Sequence, residues 1–150
     1  MSINKWGPAV WLLFHTIVEK INDPDNTRVC RELFHQIKNI CKYLPCPDCA
    51  SHATANLANV NISRINSKTD LKNILFIFHN SVNARKNKPP FSLDQLDKYK
   101  TANLSMVLYN FKMNYNSARN MKLMNDTFQR KIVINKFNAW LELNKNYLCG

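Results

Sequence analysis

Apolar residues recur every three or four positions along most of this chain, a spacing that is typical of amphipathic helices. The pattern predicts a first helix over residues 6–21, a second over 27–44 and a third, short one over 46–58. Pro45 ends the second helix, because a residue that precedes proline disfavours the helical conformation. Pro47 is tolerated in the first turn of the third helix, where its missing N–H is not needed.

Residues 59–69 are expected to form a loop, and residues 70–86 a fourth helix that Pro89 and Pro90 terminate. Ser92 and Gln95 have the spacing of a capping box and predict a fifth helix from residue 92 to about residue 118. Residues 116–125 give no clear pattern. A last helix is predicted over 126–147, and its apolar stripe begins at Phe128.

Glycine usage strengthens the helical interpretation. The 150 residues contain two glycines, Gly7 and Gly150, although tight hairpins depend on glycine. The fold class is therefore expected to be all-α. Gly7 is also the one internal position where a ligand could approach the backbone very closely. The length fits one domain, in which residues 101–150 form a C-terminal helical extension packed on residues 1–100.

The formal net charge of +11 indicates an anionic partner or simply a basic, solvated surface. The basic residues form no single run and aromatic residues do not interleave with them, so we expect no nucleic-acid groove. We find no signal peptide and no apolar segment long enough to span a membrane. The chain is therefore expected on the reducing side, where a CxxC pair is metal-binding or redox-active rather than a structural disulfide.

The chemistry centres on the sequence Cys46-Pro47-Asp48-Cys49, which His52 follows. Both sulfurs lie near the start of a predicted helix, and this position favours the thiolate that attacks disulfides, although Asp48 opposes the effect. Cys49 and His52 share a helix face, whereas Cys46 lies a turn earlier and nearer solvent. This asymmetry predicts an outer sulfur that exchanges with substrate and an inner one that meets a cofactor.

Zinc binding is the alternative interpretation of the same residues. Cys46, Cys49 and His52 could supply three ligands, with His15 or His79 as the fourth, in a helical interaction module with a basic surface. The second CxxC or HxxxH pair of a usual zinc site is missing, so no metal is the preferred expectation. A nucleic-acid binder that uses the positive charge is a third hypothesis.

Two further clusters accompany the dithiol. On the fourth helix, His79, Asn80 and Asn83 form a polar stripe that Lys86 and Lys88 extend, suited to a heteroaromatic ring, a ribose and a pyrophosphate. On the first helix, a tryptophan and a histidine four residues apart stack one turn after Gly7, where a flat ligand could lie. These two are Trp11 and His15.

Together these motifs resemble the Erv/ALR sulfhydryl oxidases, which bind FAD, and in particular the short viral branch of African swine fever virus and poxviruses. The resemblance covers roughly residues 3–100. It implies a four-helix bundle with an additional fifth helix that holds the flavin ring in its mouth. It also implies an enzyme that oxidises protein dithiols, passes the electrons to oxygen, gives hydrogen peroxide and forms a homodimer. A viral protein of this kind would work in the host cytoplasm or the virion.

The resemblance also assigns roles to individual residues. Cys46 would be the outer, interchange sulfur and Cys49 the one in charge-transfer contact with the flavin. The FAD site would be lined by Gly7, Trp11, His15, His52, His79, Asn80, Val82, Asn83 and Lys88.

The chain departs from the family pattern at three positions. Pro8 stands where a basic residue is common, Lys86 where a leucine is common, and Phe76 where cellular members carry a stapling cysteine.

Of the remaining cysteines, Cys30 and Cys41 have no predicted part in the reaction, and a role for Cys149 is left open. Cys30 and Cys41 lie eleven residues apart on one helix, about 16 Å at its rise per residue, so they cannot pair. Cys149 has no nearby partner and could form only a mixed or intermolecular disulfide.

Overall fold

The computed structural model describes residues 3–116 and 124–149. Within these ranges there are six α-helices: α1 (Ile3–Glu19), α2 (Thr27–Lys42), α3 (Pro47–Ala58), α4 (Lys68–Arg85), α5 (Leu104–Tyr115) and α6 (Met124–Asn144). Short 3-10 helices cover Ile62–Arg64, Leu93–Thr101 and Lys145–Tyr147. The described residues contain no strand, only an isolated antiparallel bridge between Ile21 and Leu148. The all-α class is confirmed.

Local capping explains where α2, α3 and α4 begin. Asn26 accepts a hydrogen bond from the Val29 N–H at the start of α2, and Ser67 accepts one from the Asp70 N–H at the start of α4. The cap of α3 is Cys46 itself. The observed bounds of these helices agree with the predicted ones to within about three residues at each end.

Helix α1 lies at the centre of the fold. It packs against α2, α4, α5 and the 3-10 helix Leu93–Thr101, which we call the 3-10 segment. Its core residues Leu13, Phe14 and Ile17 are almost completely buried as a result. Helix α3 packs on α2 and α4, and α6 packs on α2. The division of the chain at residue 100 stays a prediction.

The single fifth helix predicted over 92–118 is wrong. The capping box is present, with the Ser92 N–H donating to Gln95 Oε1 at 2.8 Å, but it opens the 3-10 segment. Ala102 is then extended, with φ −68° and ψ 143°, and the side chain of Asn103 caps a separate helix, α5. An asparagine that bonds the next backbone N–H groups competes with helix continuation, which is why the helix restarts here.

The predicted stripe of α6 is also wrong at its first position. Phe128 is 61 % exposed, while Val133, Phe137 and Trp140 are buried. Phe128 lies nine residues before Phe137, so at about 100° per residue it points to the opposite side of the helix. Arg130 occupies the buried side instead, with its guanidinium 6.0 Å from the centre of the Tyr115 ring.

Helices α5 and α6 close the side of the core that α1 and α2 leave open. Tyr115 is fully buried and donates its O–H to the Ile40 carbonyl at 2.9 Å. Trp140 donates its indole N–H to Glu32 at 2.9 Å. Most of the segment without a clear sequence pattern, residues 117–123, lies outside the described residues. None of the described helices is long and apolar enough to cross a membrane.

Candidate functional site

A cleft of about 500 Å³ opens between α1, α4 and the 3-10 segment. Six residues that the sequence predicts for the FAD site line it together. Five of them come from α1 and α4, which are far apart in the chain, and Lys88 follows the end of α4. The six are Gly7, Trp11, His79, Val82, Asn83 and Lys88.

A second, narrow cavity of about 50 Å³ lies between α1, α2, α3 and α4. Cys49 and His52 line this cavity. It adjoins the cleft, because four residues line both the cavity and the cleft. They are Gly7, Trp11, Val82 and Lys86. The inner cysteine of the CxxC pair therefore lies at the end of the predicted FAD site.

The CxxC sequence forms the first turn of α3. Cys46 is the N-cap, and its Sγ accepts a hydrogen bond from the Cys49 N–H at 3.2 Å. Pro47 follows at the first helical position, where proline is favoured. Both cysteines are half-buried thiols, but of the two only Cys49 lines the narrow cavity.

The expectation that the helix start favours a thiolate is wrong for Cys49. Its pKa is raised, first because burial removes water from the sulfur and then because Cys46 lies beside it. Lys86 and Arg85 lower the pKa and offset part of this shift. Desolvation thus outweighs the favourable partial charge of the helix N-terminus.

The two buried histidines meet each other. His15 Nε2 lies 2.9 Å from His79 Nδ1, and we call these residues the histidine pair. Trp11 stacks on the His79 ring with centroids 4.0 Å apart and an interplanar angle of 4°. His15 is 3 % exposed and does not line the cleft, so it stands behind His79 rather than in the cleft wall.

Asn80 likewise lies behind the wall of the cleft. Its amide donates to the Phe91 carbonyl at 3.0 Å, and its carbonyl oxygen accepts the Phe91 N–H at 2.6 Å. These two bonds tie α4 to the chain that follows Pro90. Asn80 therefore fixes the position of Phe91, and Phe91 lines the cleft.

Sequence reasoning missed the side of the cleft that the 3-10 segment builds. Phe91, Gln95, Lys98 and Tyr99 all line it. The Lys98 ammonium lies 5.9 Å from the centre of the Phe91 ring and 5.1 Å from that of Tyr99. The neighbouring basic and aromatic residues at 98–99 were the available signal, but a helix predicted across them concealed it.

The structure also gives one of the other cysteines a place near the site. Cys41 is buried on α2 and lines the same narrow cavity as Cys49, although its spacing gave it no role. Burial raises the pKa of its thiol. Cys30 is also buried, and Cys149 is exposed, with its N–H bonded to the Lys20 carbonyl at the far end of α1.

The ligands of the zinc alternative are not brought together. In the part of the chain that the structure describes, no group of three or more His, Cys, Asp or Glu side chains is placed to hold a metal ion. One of the two candidates for the fourth ligand, His79, instead shares a hydrogen bond with the other, His15.

The residues of the cleft fit FAD. Gly7 is helical and has no positive φ, so its backbone does not require glycine, and a glycine inside a helix costs about 0.5–1 kcal/mol relative to alanine. It lies where the cleft meets the narrow cavity, and a Cβ there would fill space that a ligand needs. Aromatic faces suit a flat ring, and three lysines suit a diphosphate. These lysines are Lys86, Lys88 and Lys98.

The fold and the site together define an all-α protein in which a CxxC dithiol meets an aromatic, cationic cleft. The profile of the Erv1 / Alr family matches residues 8–102, and the chain belongs to this family. The membership that the three sequence motifs predict is thereby confirmed.

Several viral proteins are similar in sequence. A putative FAD-linked sulfhydryl oxidase of Invertebrate iridescent virus 3 is 35 % identical over 92 residues, which are 59 % of this chain and 62 % of that protein. An FAD-linked sulfhydryl oxidase of African swine fever virus is 35 % identical over 83 residues, 55 % of this chain and 69 % of the relative. A probable FAD-linked sulfhydryl oxidase of Vaccinia virus is 28 % identical over 94 residues, which are 63 % of this chain and 93 % of that protein. No solved structure matches significantly.

Proposed function

We propose that this protein is an FAD-linked sulfhydryl oxidase that forms disulfide bonds in protein dithiols and gives hydrogen peroxide from oxygen. The observation that carries the proposal is the position of Cys49, which lines a cavity that shares Gly7 and Trp11 with the cleft. Membership of the Erv1 / Alr family and the names of the viral relatives support it. The chain matches less than two thirds of the length of the iridescent-virus relative.

The proposed cofactor site uses the residues of the cleft. Trp11 and His79 stack on each other in the cleft wall, so His79 presents a ring edge to a ligand. Lys86, Lys88 and Lys98 offer positive charge for a diphosphate. His52 lines the cavity beside Cys49. When bound there, FAD would supply the two-electron acceptor for the dithiol and the route to oxygen.

The chain's own cysteines perform the exchange with substrate. A substrate thiolate attacks Cys46 of the Cys46–Cys49 disulfide, so a mixed disulfide forms and Cys49 leaves as a thiolate. A second substrate thiolate attacks the mixed disulfide, which releases the substrate disulfide and the Cys46 thiolate. Two substrate thiols are then oxidised and the cysteine pair is reduced. Lys86 and Arg85 favour negative charge on Cys49, where burial opposes it.

The assembly and location of the protein belong to the same proposal. We propose a homodimer, as the family resemblance implies, that acts in the host cytoplasm or the virion. The viral origin of the three relatives supports a viral source for this chain.

Oxygen consumption with a small dithiol reductant tests the function. We expect flavin absorbance in the purified protein, turnover in the wild type and none in Cys49→Ala. Cys149→Ser is the matched control, because Cys149 lies at the other end of α1, and it should keep full turnover. A colourless protein that contains stoichiometric zinc, or undiminished turnover in Cys49→Ala, would refute the proposal.

A further inference from the structure

The hydrogen bond within the histidine pair joins α1 to α4 across 64 residues of sequence. The pair is enclosed, since His15 is 3 % exposed and His79 is 9 % exposed. Trp11, Phe91 and Tyr99 surround it as aromatic neighbours. A polar contact held in such surroundings has a defined geometry and is shielded from water.

Both rings are neutral near pH 7. The pKa of His15 is lowered to about 3 by burial, by His79 and by Lys98. The pKa of His79 is lowered to about 4 by burial, by Lys98 and by Lys88. A neutral imidazole has one N–H, so a single hydrogen lies between the two rings, and either ring could be its donor. The two arrangements differ in what His79 offers at its other nitrogen.

The stacking leaves one edge of His79 for the cleft. The Trp11 ring stacks on the His79 ring with centroids 4.0 Å apart, and the Phe91 ring stacks on it with centroids 4.7 Å apart. His15 occupies the Nδ1 edge. Because His79 lines the cleft, the edge that carries Nε2 remains to meet a ligand.

We propose that His15 is a positioning residue that donates its Nε2–H to His79 Nδ1 and so fixes His79 as the tautomer with Nε2–H directed at the cleft ligand. The charge of the cleft decides between the two arrangements. Lys86, Lys88 and Lys98 line it and favour a ligand rich in acceptor atoms. An N–H donor on His79 complements such a ligand, whereas a lone pair would oppose it. The inference rests on the proposed function in taking this ligand to be FAD.

Selective ¹⁵N-histidine NMR of the purified protein measures the tautomer directly, because protonated and unprotonated ring nitrogens have separate chemical shifts. We expect His79 to carry its hydrogen on Nε2. Glutamine places an amide N–H near the position of histidine Nε2, so His15→Gln should keep this tautomer and bind FAD within about twofold of the wild type. His15→Leu removes the donor and should lower FAD affinity by about tenfold, the scale of one hydrogen bond.

His35→Leu on the exposed side of α2 is the control and should change neither the tautomer nor the affinity. A hydrogen on Nδ1 of His79 in the wild type would overturn the inference. Because this measurement is made on the wild-type protein, it does not depend on whether a variant folds. Equal losses in His15→Gln and His15→Leu would overturn it as well. Wild-type protein that binds no FAD would refute the proposed function. The tautomer measurement would still decide whether His15 sets the tautomer of His79.

Discussion

Gly7→Ala is expected to stabilise the folded protein and, at the same time, to lower its affinity for FAD. Gly7 is inside α1 with a helical φ, so alanine fits its backbone without strain. An alanine there should raise the free energy of unfolding of the flavin-free protein by about 0.5–1 kcal/mol, because glycine has more conformational freedom to lose on folding. For a domain of this size that is a rise in Tm of about 1–4 °C.

The effect on binding has the opposite sign. Gly7 lies where the cleft meets the narrow cavity of about 50 Å³, so an added methyl group has little room once a ligand is present. An extra carbon in a well-packed site costs about 1–3 kcal/mol. This corresponds to a Kd for FAD that is about 5- to 150-fold higher than in the wild type.

Thermal unfolding of the flavin-free protein and a fluorescence titration with FAD measure the two effects separately. Lys5→Ala is the control, since Lys5 is exposed on the same helix and has a helix propensity near that of alanine. It should change neither quantity appreciably. If Gly7→Ala bound FAD as tightly as the wild type, the cofactor would not approach α1 at this position, and the argument from the helical glycine would fail.

Three further predictions follow from the geometry. Asn80→Ala removes both partners of the Phe91 backbone and should cost about 1–3 kcal/mol in thermal unfolding and weaken FAD binding, whereas the exposed Asn73→Ala on the same helix should do neither. Tyr115→Phe removes the O–H donor to the Ile40 carbonyl, which keeps the longer bond from the Tyr43 N–H, and should cost about 0.5–1.5 kcal/mol in denaturant unfolding, with FAD affinity unchanged; a weaker affinity would contradict the separation of core and cleft. Because the pKa values of the histidine pair are lowered from 6.5 to about 3 and about 4, the unfolded state binds more protons, and the free energy of unfolding should fall as the pH is lowered from about 6.5 towards 4. Urea unfolding at several pH values tests this, and a flat profile would contradict it.

The first four helices could be predicted because their information is local. Each has a continuous apolar stripe, and the caps that begin α2 and α4 are asparagine and serine next to the stripe. The 3-10 segment could not be separated from α5, because the break depends on the extended Ala102 and the capping Asn103 inside an otherwise helical pattern. Phe128 was misplaced for a related reason, since Arg130 takes the buried position that an apolar residue was expected to hold.

The residues of the site could be proposed from the sequence, but their contacts could not. The family resemblance placed Gly7 and His79 at one FAD site, which stays a prediction, and the structure brings both residues to one cleft. The sequence could not show that Asn80 bonds the backbone of Phe91, or that His15 stands behind His79. These partners depend on how α1, α4 and the chain after Pro90 pack together, and residue spacing within one helix contains no information about that packing.

The different surroundings of the two sulfurs bear on which redox state the pair favours. Cys46 caps α3, and its Sγ accepts a hydrogen bond from the Cys49 N–H. Cys49 lies in the narrow cavity, and burial raises its pKa. A thiol with a lowered pKa stabilises the reduced form of a dithiol. The disulfide is then a strong oxidant, and the reduced pair re-forms it slowly. Burial of Cys49 acts in the opposite direction and favours the disulfide. For the proposed oxidase this is the useful bias, because the pair must re-form its disulfide in every turnover. Lys86 and Arg85 keep that bias moderate, so that Cys49 can still leave as a thiolate when substrate attacks Cys46.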